Sequence, residues 1–97
     1  MAFVCRATWT VKDGQLDTVL DAVAQVTPPS REEPGVHVYQ AYRRAEEPNV
    51  IRLFEVYDDE AAFNAHCESE HFTKWVLGTV VPLLDNRERV FYETIDA

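Results

Sequence analysis

The segments of this chain that are typical of β-strands are apolar on both faces, and this feature limits the possible folds most. In one such segment, Ile51 and Leu53 point to one face while Phe54 and Val56 point to the other. Because side chains alternate between the faces of a strand, both faces of the sheet require a covering layer. The chain has 97 residues, enough for one hydrophobic core but not for a separate cofactor-binding lobe as well. Its predicted helices provide no second layer for the other face. The pattern therefore predicts a single domain, 1–97, whose second sheet face packs against another copy of the chain.

The order of the segments predicts an α+β fold. Alternating residues indicate strands, and apolar residues at helical spacing indicate helices. The strands are expected over 2–11, 36–44, 50–58 and 87–95, and the helices from Leu16, over 59–68 and over about 70–84. The order β-α-β-β-α-β is that of a ferredoxin-like fold, with a four-stranded antiparallel sheet and its helices on one face.

The ends of the helices have recognisable signals. Pro28-Pro29 is predicted to end the first helix, because proline lacks the N–H that a helix interior uses. Asp58 and Ser69 are predicted N-caps of the two later helices. Gly78 and Pro82 predict a bend or break in the second half of the last helix.

Charge and cysteine content narrow the class of protein. Acidic residues outnumber basic ones 17 to 9, and the net charge is −8. Such a field repels phosphate backbones and anionic membranes, so neither nucleic acid nor a membrane is expected as a partner. The two cysteines cannot form a dense disulfide framework, and no apolar run has the roughly 20 residues of a membrane span. The start of the chain has no signal sequence, so a cytoplasmic protein with reduced thiols is predicted.

The region around the third strand contains the strongest candidate for chemistry. Glu55 and Tyr57 share the strand parity of Leu53 and hence one sheet face. His66 follows Phe63 by three residues, on the inward side of the next helix. An inward imidazole and a carboxylate on the helix-covered face can meet, and such a pair suits general-base catalysis. On spacing alone, a hydrogen-bonded core histidine and a structural glutamate are the alternative interpretation.

Further side chains could complete a pocket around this pair. His71 opens the last helix, and His37 shares the parity of Tyr39 on the second strand, so both histidines are candidates to face the same cleft. Cys67 points about 100° away from His66 around the helix, which disfavours a Cys–His nucleophile. No H-x-x-x-H spacing occurs, and no metal site is predicted. The aromatic candidates for the lining, which at this spacing could equally be plain core, are Trp9, Tyr39, Tyr57, Phe72 and Trp75.

Three stretches of the sequence resemble the antibiotic biosynthesis monooxygenase (ABM) superfamily of dimeric α+β barrels. They are TVKDGQLDTVLDAV, EEPGVHVYQAYR and FEVYDDEAAFNAHCESEHF. The last is the most specific, with Glu-x-Tyr, an acidic helix start, Ala-His and then His-Phe. The resemblance covers nearly the whole chain, and it implies a homodimer packed through the sheet face with a pocket between each sheet and its own helices.

The resemblance also implies a chemistry, namely oxygenation of phenolic or quinol-type aromatic substrates by O₂ without metal, flavin or other cofactor. It implies His66 as the base, Glu55 as its orienting partner, and Tyr57 or His71 as a donor to the substrate oxygen. The substrate ring would be held by Trp9, Tyr39, Phe72 and Trp75. The haem-degrading branch is not matched, because Ala7, His66 and Val76 stand where it carries asparagine, tryptophan and the haem-ligating histidine.

Two other functions remain open from the sequence. The histidine-bearing helix and the segment PGVHVY also resemble the phospho-autoinducer-2 isomerases of the same superfamily, which act by proton transfer. Such an enzyme would need convergent Arg or Lys at a phosphate pocket, and the sequence does not place Arg6, Arg43, Lys74 or Arg89 there. The other alternative is a non-catalytic dimer that binds a ligand.

Overall fold

The structure is a computed structural model that describes residues 1–96. Its elements are β1 (Phe3–Val11), α1 (Leu16–Arg31), β2 (Val36–Tyr42), β3 (Val50–Tyr57), α2 (Glu60–Cys67), α3 (Phe72–Val80), a 3₁₀ turn (Val81–Leu83) and β4 (Leu84–Glu93). The strands form one antiparallel sheet in the order β2-β3-β1-β4. This confirms the α+β, ferredoxin-like architecture. None of the helices within residues 1–96 is long and apolar enough to cross a membrane.

The two faces of the sheet differ sharply in burial. On β1 the residues Cys5, Ala7, Trp9 and Val11 are buried, and they form the face that the helices cover. On β3 the same face carries Ile51, Leu53, Glu55 and Tyr57, all buried. The opposite face carries five large side chains that are between 37% and 48% exposed, namely Val38, Tyr42, Phe54, Val90 and Tyr92. The two-sided apolar pattern of the strands therefore corresponds to one packed face and one open apolar face.

Helix α1 continues through Pro28-Pro29 to Arg31, so the prediction that the two prolines end it is wrong. Each proline removes a helix hydrogen bond, but other contacts hold the last turns. Ser30 is fully buried and its hydroxyl donates to the carbonyl of Val26 at 2.7 Å. Arg31 Nε donates to the carbonyl of Tyr39 in β2 at 3.1 Å. Packing and these bonds outweigh the loss at the prolines, and they carry the chain to the end of the sheet where β2 begins.

The caps of the later helices agree with the sequence at one position and differ at the other. The N-cap of α2 is Asp59 rather than Asp58, since its carboxylate accepts the N–H of Ala62 at 2.9 Å. Ser69 is the N-cap of the short helical stretch 70–71 that leads into α3, since its hydroxyl oxygen accepts the N–H of Phe72 at 3.2 Å. The hydroxyl of Ser69 also donates to the carbonyl of His66 at 2.6 Å. This one side chain therefore fixes the turn between α2 and α3.

Helix α3 is wound more loosely than an α-helix and has π-helical hydrogen bonding. Its buried residues, Phe72, Val76 and Val80, recur every four positions, which suits the wider turn. Pro82 lies in the 3₁₀ turn that follows and ends the helical segment. The expected break in the second half of this region is confirmed.

Candidate functional site

A carboxylate and two imidazoles meet at the end of the sheet where α1 ends and α2 and α3 join. Glu33 Oε2 lies 2.7 Å from Nδ1 of His66 and 2.7 Å from Nε2 of His71. His66 is almost fully buried, while Glu33 and His71 are 17% and 20% exposed. We call these three residues the Glu33 cluster. It joins the inside of the domain to its surface.

Glycine brings Glu33 into this position. Gly35 lies so close to α2 that a Cβ built on it would stand 2.5 Å from the Cβ of Ala62. The carbonyl of Gly35 also accepts the N–H of Asp58 at 2.9 Å. Ala62 lies one helical turn before His66, so the loop that carries Glu33 is pressed against the turn of α2 that carries the imidazole. A side chain at Gly35 would force this loop away.

The hydrogen bonds of the cluster define the tautomer of His66. A carboxylate only accepts hydrogen bonds, so Nδ1 of His66 and Nε2 of His71 are the donors to Glu33. In a neutral His66, Nε2 then carries a free lone pair. This nitrogen is buried and has no hydrogen-bond partner in the described residues.

The other side of the His66 ring is bordered by aromatic rings. The centroid distances from His66 are 5.2 Å to Phe72, 5.3 Å to Tyr39 and 5.7 Å to Tyr57. Burial lowers the pKa of His66 below its ordinary value, although the hydrogen bond to Glu33 and its charge act in the opposite direction. Burial therefore favours the neutral imidazole, and its unpartnered Nε2 lies inside the domain.

Glu55 does not pair with His66, so the predicted partner of the imidazole is wrong. The two residues do lie on the covered sheet face and the inward helix face, as expected, but Glu55 accepts a hydrogen bond from the hydroxyl of Tyr57 at 2.5 Å. Burial raises the pKa of Glu55 to about 7, against the opposing effect of the Tyr57 hydrogen bond and of two arginines. Burial also raises the pKa of Tyr57 well above its usual value. The tyrosine hydroxyl is thus committed to Glu55 rather than free to donate elsewhere.

His37 lies outside this region, which corrects the prediction that it faces the helices. The pairing of β2 with β3 shifts between Val36 and Val38, so His37 is the extra residue of a β-bulge. The bulge reverses the parity of the strand start, and Val36 packs into the core instead. His37 is half exposed and its Nε2 pairs with the carboxylate of Asp58 at the surface.

The remaining aromatic candidates divide into two groups. Tyr39 and Phe72 contact the His66 ring, whereas Trp9 and Trp75 pack in the same core cluster without a ring contact to it. Trp9 is only 3% exposed, and its indole Nε1 is buried with no hydrogen-bond partner in residues 1–96. It therefore offers an unused donor on the helix-covered face of β1.

Glu33 is the functional candidate that sequence reasoning missed. It lies in a polar loop, and strand parity and helix spacing say nothing about a loop residue. The available signal was its position just before Pro34-Gly35, at the entrance to β2 and beside the helix that carries His66. The donors of the cluster come from three separate segments, at Glu33, His66 and His71, and their ligand atoms lie within 4.8 Å of one another. Such a set can bind protons or a cation, which no local spacing in the sequence indicated.

The sequence and the fold of this chain are similar to those of known proteins. The family model described as antibiotic biosynthesis monooxygenase matches residues 2–77. Protein SO0527 from Shewanella oneidensis is 25% identical, with a TM-score of 0.88 over 96% of this chain and 90% of that one. A solved antibiotic biosynthesis monooxygenase is also 25% identical, with a TM-score of 0.89 over 98% of this chain and 99% of that one.

The fold is also shared with a protein of lower sequence identity. Rv0793 from Mycobacterium tuberculosis is 20% identical with a TM-score of 0.91 over 100% of this chain and 98% of that one, which shows the shared fold. No curated protein matches the chain significantly. The match of the family model, which spans most of the chain, is decisive: the chain belongs to the antibiotic biosynthesis monooxygenase family.

Proposed function

We propose that the protein is a cofactor-independent monooxygenase that oxidises a phenolic or quinol-type aromatic substrate with O₂. The observation that carries the proposal is the buried, unpartnered Nε2 of His66, whose other ring nitrogen is tied to Glu33. A neutral imidazole whose second nitrogen keeps a free lone pair can act as a general base. Membership of the monooxygenase family supports oxygen as the second reactant.

The reaction begins with a proton transfer. Nε2 of His66 takes a proton from a phenol or an activated CH₂ of the substrate. The resulting imidazolium is stabilised by Glu33, which already accepts the Nδ1–H. His71 donates to the same oxygen and holds the carboxylate in place. We therefore assign to Glu33 the orienting role that was predicted for Glu55.

The remaining steps use the electrons of the substrate. Its anion transfers one electron to O₂, and the two radicals combine to a peroxide anion. The peroxide takes the proton back from the His66 imidazolium and becomes a hydroperoxide. Loss of water then leaves a carbonyl where the CH₂ was, so one oxygen atom enters the product and the other leaves as water. Tyr39 and Phe72 border the His66 ring, and we expect them to hold the aromatic substrate.

An oxygen-electrode screen tests the proposal. Wild type and His66→Ala are compared on a panel of anthrones and hydroquinones. We expect wild type to consume O₂ and His66→Ala to lose roughly 10²–10⁴-fold in kcat. His37→Ala is the matched control, because it removes an exposed histidine that pairs with a carboxylate elsewhere. If wild type consumes O₂ no faster than His66→Ala over the whole panel, the oxygenase proposal fails.

We also propose that the open sheet face forms a homodimer. Its apolar side chains, such as Phe54 and Tyr92, are 37% and 48% exposed and lack a covering layer in the described chain. Sedimentation at micromolar concentration should give a dimer. Phe54→Lys should shift it towards monomer, whereas Leu77→Lys on α3, where the leucine is 44% exposed, should not. A monomeric wild type would contradict this proposal.

One observation favours a second candidate, an isomerase that moves a proton on a phosphorylated ketone. Arg87 and Arg89 are two residues apart on β4, opposite Trp9 and Ala7 of the covered face. The Nε of Arg87 is buried without a hydrogen-bond partner in the described residues. Arg87 is half-buried and Arg89 is exposed, and two neighbouring guanidinium groups are suited to bind a phosphate. An isomerase of this kind would exchange protons between solvent and a ketose phosphate. The rate of this exchange should be the same with and without O₂.

A further inference from the structure

We propose that the Glu33 cluster is also a binding site for a divalent metal of the zinc type, and that the metal switches off His66 as a base. The binding itself does not depend on the proposed oxygenase activity, whereas the inhibitory effect rests on it. Two imidazoles and one carboxylate are the ligand set that proteins use for Zn²⁺ and for similar ions such as Co²⁺.

The geometry of the cluster is close to that of a metal site. Glu33 Oε2 is 2.7 Å from each imidazole nitrogen. In a tetrahedral zinc site with bonds of roughly 2.0–2.1 Å, neighbouring ligand atoms stand about 3.4 Å apart. Glu33 Oε2 would therefore have to move about 0.7 Å away from each imidazole nitrogen. The two imidazole nitrogens, which lie within 4.8 Å of each other, would adjust to the same spacing. Glu33 and His71 are partly exposed side chains, so the adjustment needs no change in the core.

Partial exposure also provides access and a further coordination position. Glu33 and His71 are 17% and 20% exposed, so an ion can arrive from solvent and retain a water ligand. His66, which is 1% exposed, supplies the rigid inner ligand. The net charge of −8 attracts cations to the surface.

The proton balance of binding explains the inhibition. In the metal-free cluster, Nδ1 of His66 and Nε2 of His71 carry the protons that they donate to Glu33. A metal takes the lone pairs of these two nitrogens, so each neutral ring keeps its proton on the other nitrogen. For His66 that nitrogen is Nε2, the atom proposed to accept the substrate proton. A metal-loaded protein therefore has an N–H where the base should be.

Calorimetric titration with ZnCl₂, in a buffer that does not bind metals, tests the binding without any substrate. We expect one ion per chain for wild type, and visible d–d absorption when CoCl₂ is used instead. Glu33→Gln and His71→Asn should each weaken binding by at least roughly tenfold. His37→Asn removes another histidine paired with a carboxylate, and Cys67→Ser removes the half-buried thiol next to His66, and both should bind as wild type does. Absence of binding in wild type, or equal binding in Glu33→Gln and His37→Asn, would overturn the proposal.

Oxygen uptake tests the inhibitory effect separately. On a substrate that wild type oxidises, ZnCl₂ should abolish O₂ uptake at the occupancy measured by calorimetry, and EDTA should restore it. If Zn²⁺ binds but wild type oxidises no quinol, the metal site stands and the oxygenase proposal fails. If quinols are oxidised at an undiminished rate with the site filled, the proposed coordination through Nδ1 of His66 is wrong.

Discussion

Two carboxyl groups near His66 behave differently because they lie in different parts of the molecule. Glu55 is inside the sheet–helix interface, 6% exposed, and burial raises its pKa to about 7. Glu33 lies on the loop at the border of the domain, 17% exposed, where two imidazole N–H groups donate to it. A carboxylate at the border can remain charged at little cost, whereas one inside the sheet needs compensation or a proton. The border residue is therefore the one suited to stabilise a charged imidazole.

The largest effect should come from exchanging each carboxyl group for an amide. Glu33→Gln should lower kcat/KM for quinol oxidation by roughly 10²–10³-fold, because an amide neither stabilises the imidazolium nor enforces the tautomer with its lone pair on Nε2. Glu55→Gln should change kcat/KM far less, because Gln can still accept the hydrogen bond from Tyr57. Oxygen uptake at saturating and limiting substrate measures both. A greater loss in Glu55→Gln would reverse the roles of the two residues.

The pH dependence of stability should isolate Glu55. Its pKa in the folded protein, about 7, lies above the value of about 4.5 for an exposed glutamate. The folded state therefore binds the proton more tightly, and its contribution to stability is complete below about pH 4.5 and lost as pH rises through 7. The loss should approach about 3 kcal/mol. Denaturant unfolding of wild type and Glu55→Gln between pH 4.5 and 8.5 measures it, and parallel curves for the two proteins would refute the assignment.

The sequence was sufficient for the fold and for the position of His66, but not for its partner. Periodicity identifies a face, and the inward faces of β3 and α2 were correctly assigned at Glu55, Tyr57 and His66. It gives no distances, and so it could not show that Glu55 would bond to its own neighbour on the strand. Glu33 lay outside any periodic segment.

Two other errors have local physical causes. The parity of His37 was wrong because one extra residue in β2 forms a bulge, and a shift of one residue moves a side chain to the other face. Helix α1 continues past its prolines because the burial of Ser30 and the hydrogen bond from Arg31 to β2 outweigh local propensity. In both cases the outcome depends on how a segment packs against the sheet, which local propensity does not contain.

The position of the loop that carries Glu33 can be tested at Gly35, where the loop lies closest to α2. In Gly35→Ala the new Cβ would stand 2.5 Å from the Cβ of Ala62, so the loop must move and the protein should lose about 1–3 kcal/mol of stability. Replacing Ala62 by Gly in the same protein relieves the contact, so the double variant should be more stable than the sum of the single effects implies. Denaturant unfolding of the four proteins gives this coupling. Strict additivity would show that the contact does not constrain the loop.

The smallest effect should come from the pair that resembles the Glu33 cluster only in composition. His37 and Asp58 form a hydrogen-bonded pair in which both side chains are more than half exposed, at 56% and 55%. Exposed pairs of this kind contribute about 0–1 kcal/mol, because water already solvates both groups. His37→Asn should therefore shift the unfolding midpoint only slightly and leave oxygen uptake unchanged. If His37→Asn lost as much activity as Glu33→Gln, the difference in exposure between the two sites would not determine which of them carries the chemistry. Retained activity would attribute the chemistry to the buried lone pair of His66 rather than to any histidine next to a carboxylate.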